Sequence, residues 1–186
     1  MRTTHLLVPV VSACLTIAVG VIGCDRGFTG AGSASAAGTT PSSDQLPAGL
    51  FLAEAPSGAK DIGAVKRAPD AASEVVVRGR IGGRVDPFVK GRAMFMLADR
   101  SVPTCAEKHG HGCPTPWDYC CEPKERVLAN TATIQVVGSD GRPLKADLRG
   151  RNGLEPTAHV VVAGRVSKRD DGVLVVDAGG IYVKKN

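Results

Sequence analysis

The chemistry-bearing residues of this 186-residue chain crowd into "CAEKHGHGCPTPWDYCC", residues 105–121, which holds four of its six cysteines and two of its four histidines. Thiolate and imidazole are the ligands of zinc, Cu(I) and iron–sulfur centres. Cys105, Cys113, Cys120, Cys121, His109 and His111 therefore form a candidate metal set, with zinc or copper the expected ion. Gly110 and Gly112 flank the histidines and would let the backbone turn their side chains inward. The same four thiols, an even number, also suit a disulfide framework. The spacing C-x7-C-x6-C-C is neither a paired CxxC ribbon nor a zinc-finger pattern. Adjacent cysteines on an extended chain point apart, so chelation by both Cys120 and Cys121 needs a tight turn. With no CxxCH, covalent haem is not expected, and with no CxxC, neither is thioredoxin-like exchange. Of the three disulfide pairings, the one joining Cys120 to Cys121 is strained. Staples would run from Cys105 and Cys113 to the adjacent pair, each stabilising the domain by about 2–4 kcal/mol.

Two further groups are candidates for ligand binding. Trp117 is the chain's only tryptophan and stands beside Tyr119 in a sequence with two tyrosines and four phenylalanines. Either Trp117 is a lid whose large ring anchors the loop, or Trp117 and Tyr119 form a stacking surface for a base or sugar with Asp118 as polar contact. Arg78 and Arg80 share one strand face. They head a surface that carries eighteen basic against thirteen acidic residues from position 73 onward. Such an excess suits an anionic polymer, an oligonucleotide, a peptide or lipid headgroups.

The elements that must position these residues begin well after the amino terminus. Arg2 is followed by an uncharged run from Leu6 to Gly23, the form of an export signal. Its end, Val21-Ile22-Gly23-Cys24, resembles the lipobox of bacterial lipoproteins, with valine where leucine is usual. The resemblance implies cleavage after residue 23, lipidation of Cys24, and a protein held on the periplasmic side of the cell envelope. Cys14 would leave with the signal. The other reading is an uncleaved anchor, since the run just reaches membrane-spanning length. Nucleic acid is a poor default partner for an exported protein. Residues 24–72 are rich in Gly, Ser, Ala, Thr and Pro, as a flexible tether is. Leu50, Phe51 and Leu52 are apolar enough to dock, but no period is sustained around them, and the stretch is assigned to the tether.

Residues 73–186 read as one all-β domain. Short β-branched runs bounded by Gly, Asp, Asn or Pro predict five strands: "EVVVRGRIGG", "RAMFMLAD", "ATIQVVG", "HVVVAGRVS" and "VLVVDAGGIYV", the last broken at Gly179-Gly180. No helical period is sustained, and one helical turn is expected around Leu144 to Leu148. The first and fourth strands repeat each other, Val75-Val76-Val77-Arg78-Gly79-Arg80 against Val160-Val161-Val162-Ala163-Gly164-Arg165. Glycine inside a strand marks a bulge or a bend. Five strands with bending glycines in the first and fourth resemble the OB-fold, a small Greek-key barrel in which those two strands are neighbours. The long Cys-rich loop, residues 100–130, would then be an excursion between strands two and three.

No GxSxG elbow, Walker loop or HExxH is present. Asp170-Asp171 falls in an "RDDG" turn, where Asp and Gly serve the backbone. The expected protein is a non-enzymatic, membrane-tethered binding module of OB type whose Cys/His loop holds a transition metal or is disulfide-stapled. A redox or metal-dependent accessory using Cys113, Cys120 and Cys121 is the alternative of a different class.

Overall fold

The computed structural model describes residues 45–68, 73–109, 112–170 and 172–185. The segment read as a leader, 1–23, Cys24, and residues 24–44 and 69–72 of the expected tether lie outside the described residues. So does His111.

The elements in chain order are β1 (Lys60–Asp61), α1 (Ile62–Arg67), β2 (Glu74–Ile81), β3 (Met94–Ala98), α2 (Cys105–His109), α3 (Lys124–Ala129), β4 (Thr131–Gln135), β5 (His159–Asp170) and β6 (Val173–Val183). Strands β2 to β6 close into a ring in the order β2-β3-β4-β6-β5, with β5 pairing back onto β2. Only the β4–β6 pairing in that ring is parallel. This is a closed five-stranded OB-like barrel, with the expected excursion between its second and third strands. Its core is aliphatic: Val77, Ile81, Leu97, Ile134, Val162, Val176 and Ile181 are fully enclosed together with Phe95. A tilted ring pair, Phe88 and Phe95, joins them with centroids 6.0 Å apart.

The two repeated segments pair with each other. Val77 stands opposite Val162, Gly79 opposite Val160 and Val75 opposite Gly164. Both glycines sit where another strand's backbone crosses close by. A Cβ on Gly79 would lie 2.5 Å from the carbonyl oxygen of Ala98, and one on Gly164 would strike the carbonyl of Asp177. Gly79 thus lets β3 come close to β2, which at Arg80 pairs with β3 and β5 at once. β6 is continuous rather than broken. Ala163 pairs with Gly180 and Gly164 with Ala178, so Gly179 is the extra residue of a bulge.

Two expectations are corrected. Residues 45–67 are not tether, because Leu50, Ile62 and Val65 are buried in the barrel's main core. Leu52 N donates to Ile181 O at 2.9 Å, Ile181 N donates to Leu50 O at 2.7 Å, and β1 runs parallel to β2 through Lys60↔Val77 and Asp61↔Arg78. The segment lacks a period because its residues dock on different surfaces in turn. The stretch Leu144 to Leu148 is extended, not helical. Leu144, Ala146 and Leu148 are buried while Lys145 and Asp147 are exposed, the two-residue alternation of an extended chain.

Candidate metal centre

The excursion is clamped where it leaves and rejoins the barrel. At its neck, Asp99 N donates to Asn130 O at 2.8 Å. The Asp99 carboxylate accepts Gly63 N of α1 and Ser101 N, each at 2.9 Å. Beyond the neck, Tyr119, Val102 and Ala98 form a second small core, against which Val127 of α3 packs. Gly82 and Gly83, directly after β2, admit the loop to the barrel wall. Gly83 N donates to Trp117 O at 2.8 Å, and a Cβ on Gly82 would lie 2.6 Å from that same oxygen.

Cys105 is the first residue of α2, and its position is set by a reciprocal cap. Glu107 N donates to Thr104 Oγ1 at 3.3 Å, while Thr104 N donates to Glu107 Oε2 at 2.6 Å. Each side chain satisfies a backbone donor that the first helical turn leaves unpaired. The other Glu107 oxygen accepts Arg80 Nη1 of β2 at 2.9 Å. Arg80 lies almost wholly inside and also reaches Val102 O. Held by Arg80, and by its hydrogen bonds with Thr104, the Glu107 carboxyl falls from 4.5 to about 2. On the loop's far side, Glu122 lies between Lys108 of α2 at 2.7 Å and Arg126 of α3 at 2.9 Å.

Asp118, Cys120 and Cys121 arrive on a pair of consecutive turns, and Cys113 precedes them. Asp118 N donates to Thr115 O at 3.0 Å and Glu122 N to Tyr119 O at 2.9 Å. Tyr119 takes a positive φ of 58° to join the two turns, a strained conformation supported by its burial in the small core. Cys120 and Cys121 occupy the corner of the second turn. The tight turn needed for adjacent cysteines to converge is therefore present, and their sulfurs are 3.8 Å apart. Cys120 Sγ lies 3.5 Å from Cys105 Sγ. Asp118 Oδ1 accepts Cys120 N at 2.9 Å and sits 3.9 Å from Cys105 Sγ. Its Oδ2 accepts Thr115 Oγ1 at 2.9 Å.

One ligand atom from each of Cys105, Cys113, Asp118 and Cys120 falls within 4.8 Å of every other. Zinc–sulfur bonds of about 2.3 Å in a tetrahedron place sulfurs about 3.8 Å apart, close to the 3.5 Å between Cys105 and Cys120. The four cysteines among the described residues, Cys105, Cys113, Cys120 and Cys121, are free thiols. Burial opposes ionisation of Cys105, yet its thiol is held below the ordinary value because Cys121 N–H and the Cys121, Cys120 and Cys113 thiols bond to its sulfur. The thiols of Cys120 and Cys121 are pushed up, each chiefly by its hydrogen bond with Cys105.

The sequence candidates therefore separate. Cys105, Cys113, Cys120 and Cys121 come together. Asp118, read from the sequence only as a polar contact for a ligand, joins them. The Thr115-Pro116-Trp117-Asp118 turn was the available signal, as Thr104-x-x-Glu107 was for the cap. His111 lies outside the described residues, and of His109 only the backbone, at the end of α2, is described. Tyr119 is corrected from a stacking surface to the buried anchor of the loop. Trp117 is half-buried and ties to Val85 O through Nε1 at 2.9 Å. Arg78 makes a two-pronged bond to Asp61, at 2.7 and 2.9 Å, so it and Arg80 both face carboxylates. A groove of about 910 Å³ lies away from the cysteines, between α1 and the outer face of β2, β5 and β6.

The fold and site together define an OB-like barrel that carries a cluster of thiols and one carboxylate on the excursion between its second and third strands. Comparison with family models, curated proteins and solved structures gave no match to this chain.

Proposed function

We propose that this chain is an exported, membrane-tethered lipoprotein whose barrel presents a zinc site built from Cys105, Cys113, Asp118 and Cys120. The observation that carries the reading is the mutual approach of those four donors within 4.8 Å. A hard carboxylate oxygen among thiolates favours zinc over Cu(I), which prefers an all-sulfur or sulfur–imidazole set. Four protein ligands with no open position suit a structural or storage centre rather than a hydrolytic one. Metal binding would then order the excursion, since the ligands come from α2, from the stretch before the turns and from the two turns.

Export is supported by the uncharged run Leu6–Gly23, and lipid anchoring by the likeness of Val21-Ile22-Gly23-Cys24 to a lipobox. Among the described residues no helix is long and apolar enough to cross a membrane. The anionic-polymer reading receives less support, because the guanidiniums of Arg78 and Arg80 are already paired.

Metal analysis and denaturing thiol titration of one sample of the reduced full chain test the zinc site. One zinc per chain with four titratable thiols from residues 105–121 is the expected result, and Cys105→Ser or Cys113→Ser should abolish it. Four free thiols without metal in zinc-supplemented buffer would refute it.

A further inference from the structure

Two sulfurs in contact across the cluster belong to residues of opposite accessibility. Cys105 is 1 % exposed at the start of α2, whereas Cys120 stands exposed at the turn corner. Their Sγ atoms are 3.5 Å apart. A disulfide requires about 2.05 Å, a gap that a small movement of the exposed turn can close. Cys121 is 3.8 Å from Cys120, but a bond between sequence neighbours closes a strained ring. From this geometry we propose that the site is redox-gated: a Cys105–Cys120 disulfide and a bound zinc ion are alternative states of the same sulfurs. This rests on the zinc reading above.

The reaction consumes a disulfide oxidant of the glutathione type, as expected outside the cytosol. The exposed Cys120 thiolate attacks one sulfur of the oxidant, forming a mixed disulfide and expelling the first thiolate. Cys105 thiolate then attacks Cys120 Sγ from inside the loop, and the second thiolate leaves. Two cysteine thiolates have given up two electrons, the oxidant has become two thiols after protonation, and one sulfur–sulfur bond has replaced another. Zinc has lost two of its four ligands. Cys113 and Asp118 alone form a weak site, and the ion departs to water.

The test uses the full chain, reduced and loaded with zinc, then treated with oxidised glutathione in the presence of a chromogenic zinc chelator. Expected are the loss of two thiols, one zinc released per disulfide formed, and a cross-linked peptide joining Cys105 to Cys120. Cys121→Ser should behave likewise and makes the link unambiguous. A link between Cys120 and Cys121, or two thiols oxidised with zinc retained, would overturn the gate while leaving the zinc site standing. A reduced chain that takes up no zinc overturns both.

Discussion

Arg80 of β2 and Glu107 of α2 meet at 2.9 Å, and through this ion pair the barrel wall holds the helix that carries Cys105. The carboxylate faces both ways, with one oxygen on the barrel's arginine and the other on the cap of α2. The guanidinium sits deep, its side chain 11 % exposed, while Glu107 is half in solvent.

Replacing Arg80 by Met should leave the barrel folded and loosen the excursion. Loss of a partly buried pair is worth on the order of 1–2 kcal/mol once solvent screening of Glu107 is allowed for. Zinc binding should weaken 10–100-fold, the usual effect of losing an outer-shell partner. Competition with a chelator of known affinity checks this, with an unchanged far-ultraviolet spectrum as control.

The same pair sets an acid limit. Because Glu107 is held at about 2 rather than 4.5, its contribution to stability is complete above pH 4.5 and fades as pH falls towards 2. Trp117 fluorescence and protease sensitivity of residues 99–130 should report loosening in that window for the metal-free chain. Glu107→Gln should show a flatter profile.

Gly164→Ala should be among the most damaging single substitutions, because its new methyl group meets the Asp177 backbone and cannot be relieved by a rotamer change. Gly79→Ala meets Ala98 O at 2.5 Å. Each is expected to destabilise by at least about 2 kcal/mol, read from urea midpoints. Gly141→Ala, with open space around its Cβ but φ of +72°, should lose only about 1 kcal/mol.

Ile62→Ala should destabilise the barrel by about 2–4 kcal/mol, as a cavity in a closed core does. Residues 60–67 would have no such sensitivity if they were tether. Equilibrium unfolding of the full chain decides between a shifted midpoint and none.

Cys24→Ser should abolish incorporation of labelled fatty acid and release the protein from membranes. Unchanged membrane retention without label would favour an uncleaved anchor over a lipidated cysteine.

The barrel was legible because its code is local. Alternating β-branched residues require extended chain, and "VVVRGR" and "VVVAGR" carry glycine where β2 and β5 must let another strand pass. The Leu144–Leu148 stretch was misread because a few leucines at short spacing suit one helical turn as well as an extended lid. Residues 45–67 were missed for a different reason: Leu50, Ile62 and Val65 are buried by surfaces more than a hundred residues away in part, and no window of sequence contains those surfaces.

The chain's own order of residues determined that five strands form, that the cysteines lie on one excursion, and that thiol chemistry is concentrated there. Only the folded structure decided which side chains act together. Arg80 became a brace rather than a ligand contact, Tyr119 an anchor rather than a stacking surface, and Asp118 a partner of the thiols. Strand formation follows from each residue's preference and its immediate neighbours. The convergence of Cys105, Cys113, Asp118 and Cys120 depends on how the barrel wall holds α2 against the folded loop that follows it, a relation among separate parts that spacing alone does not encode.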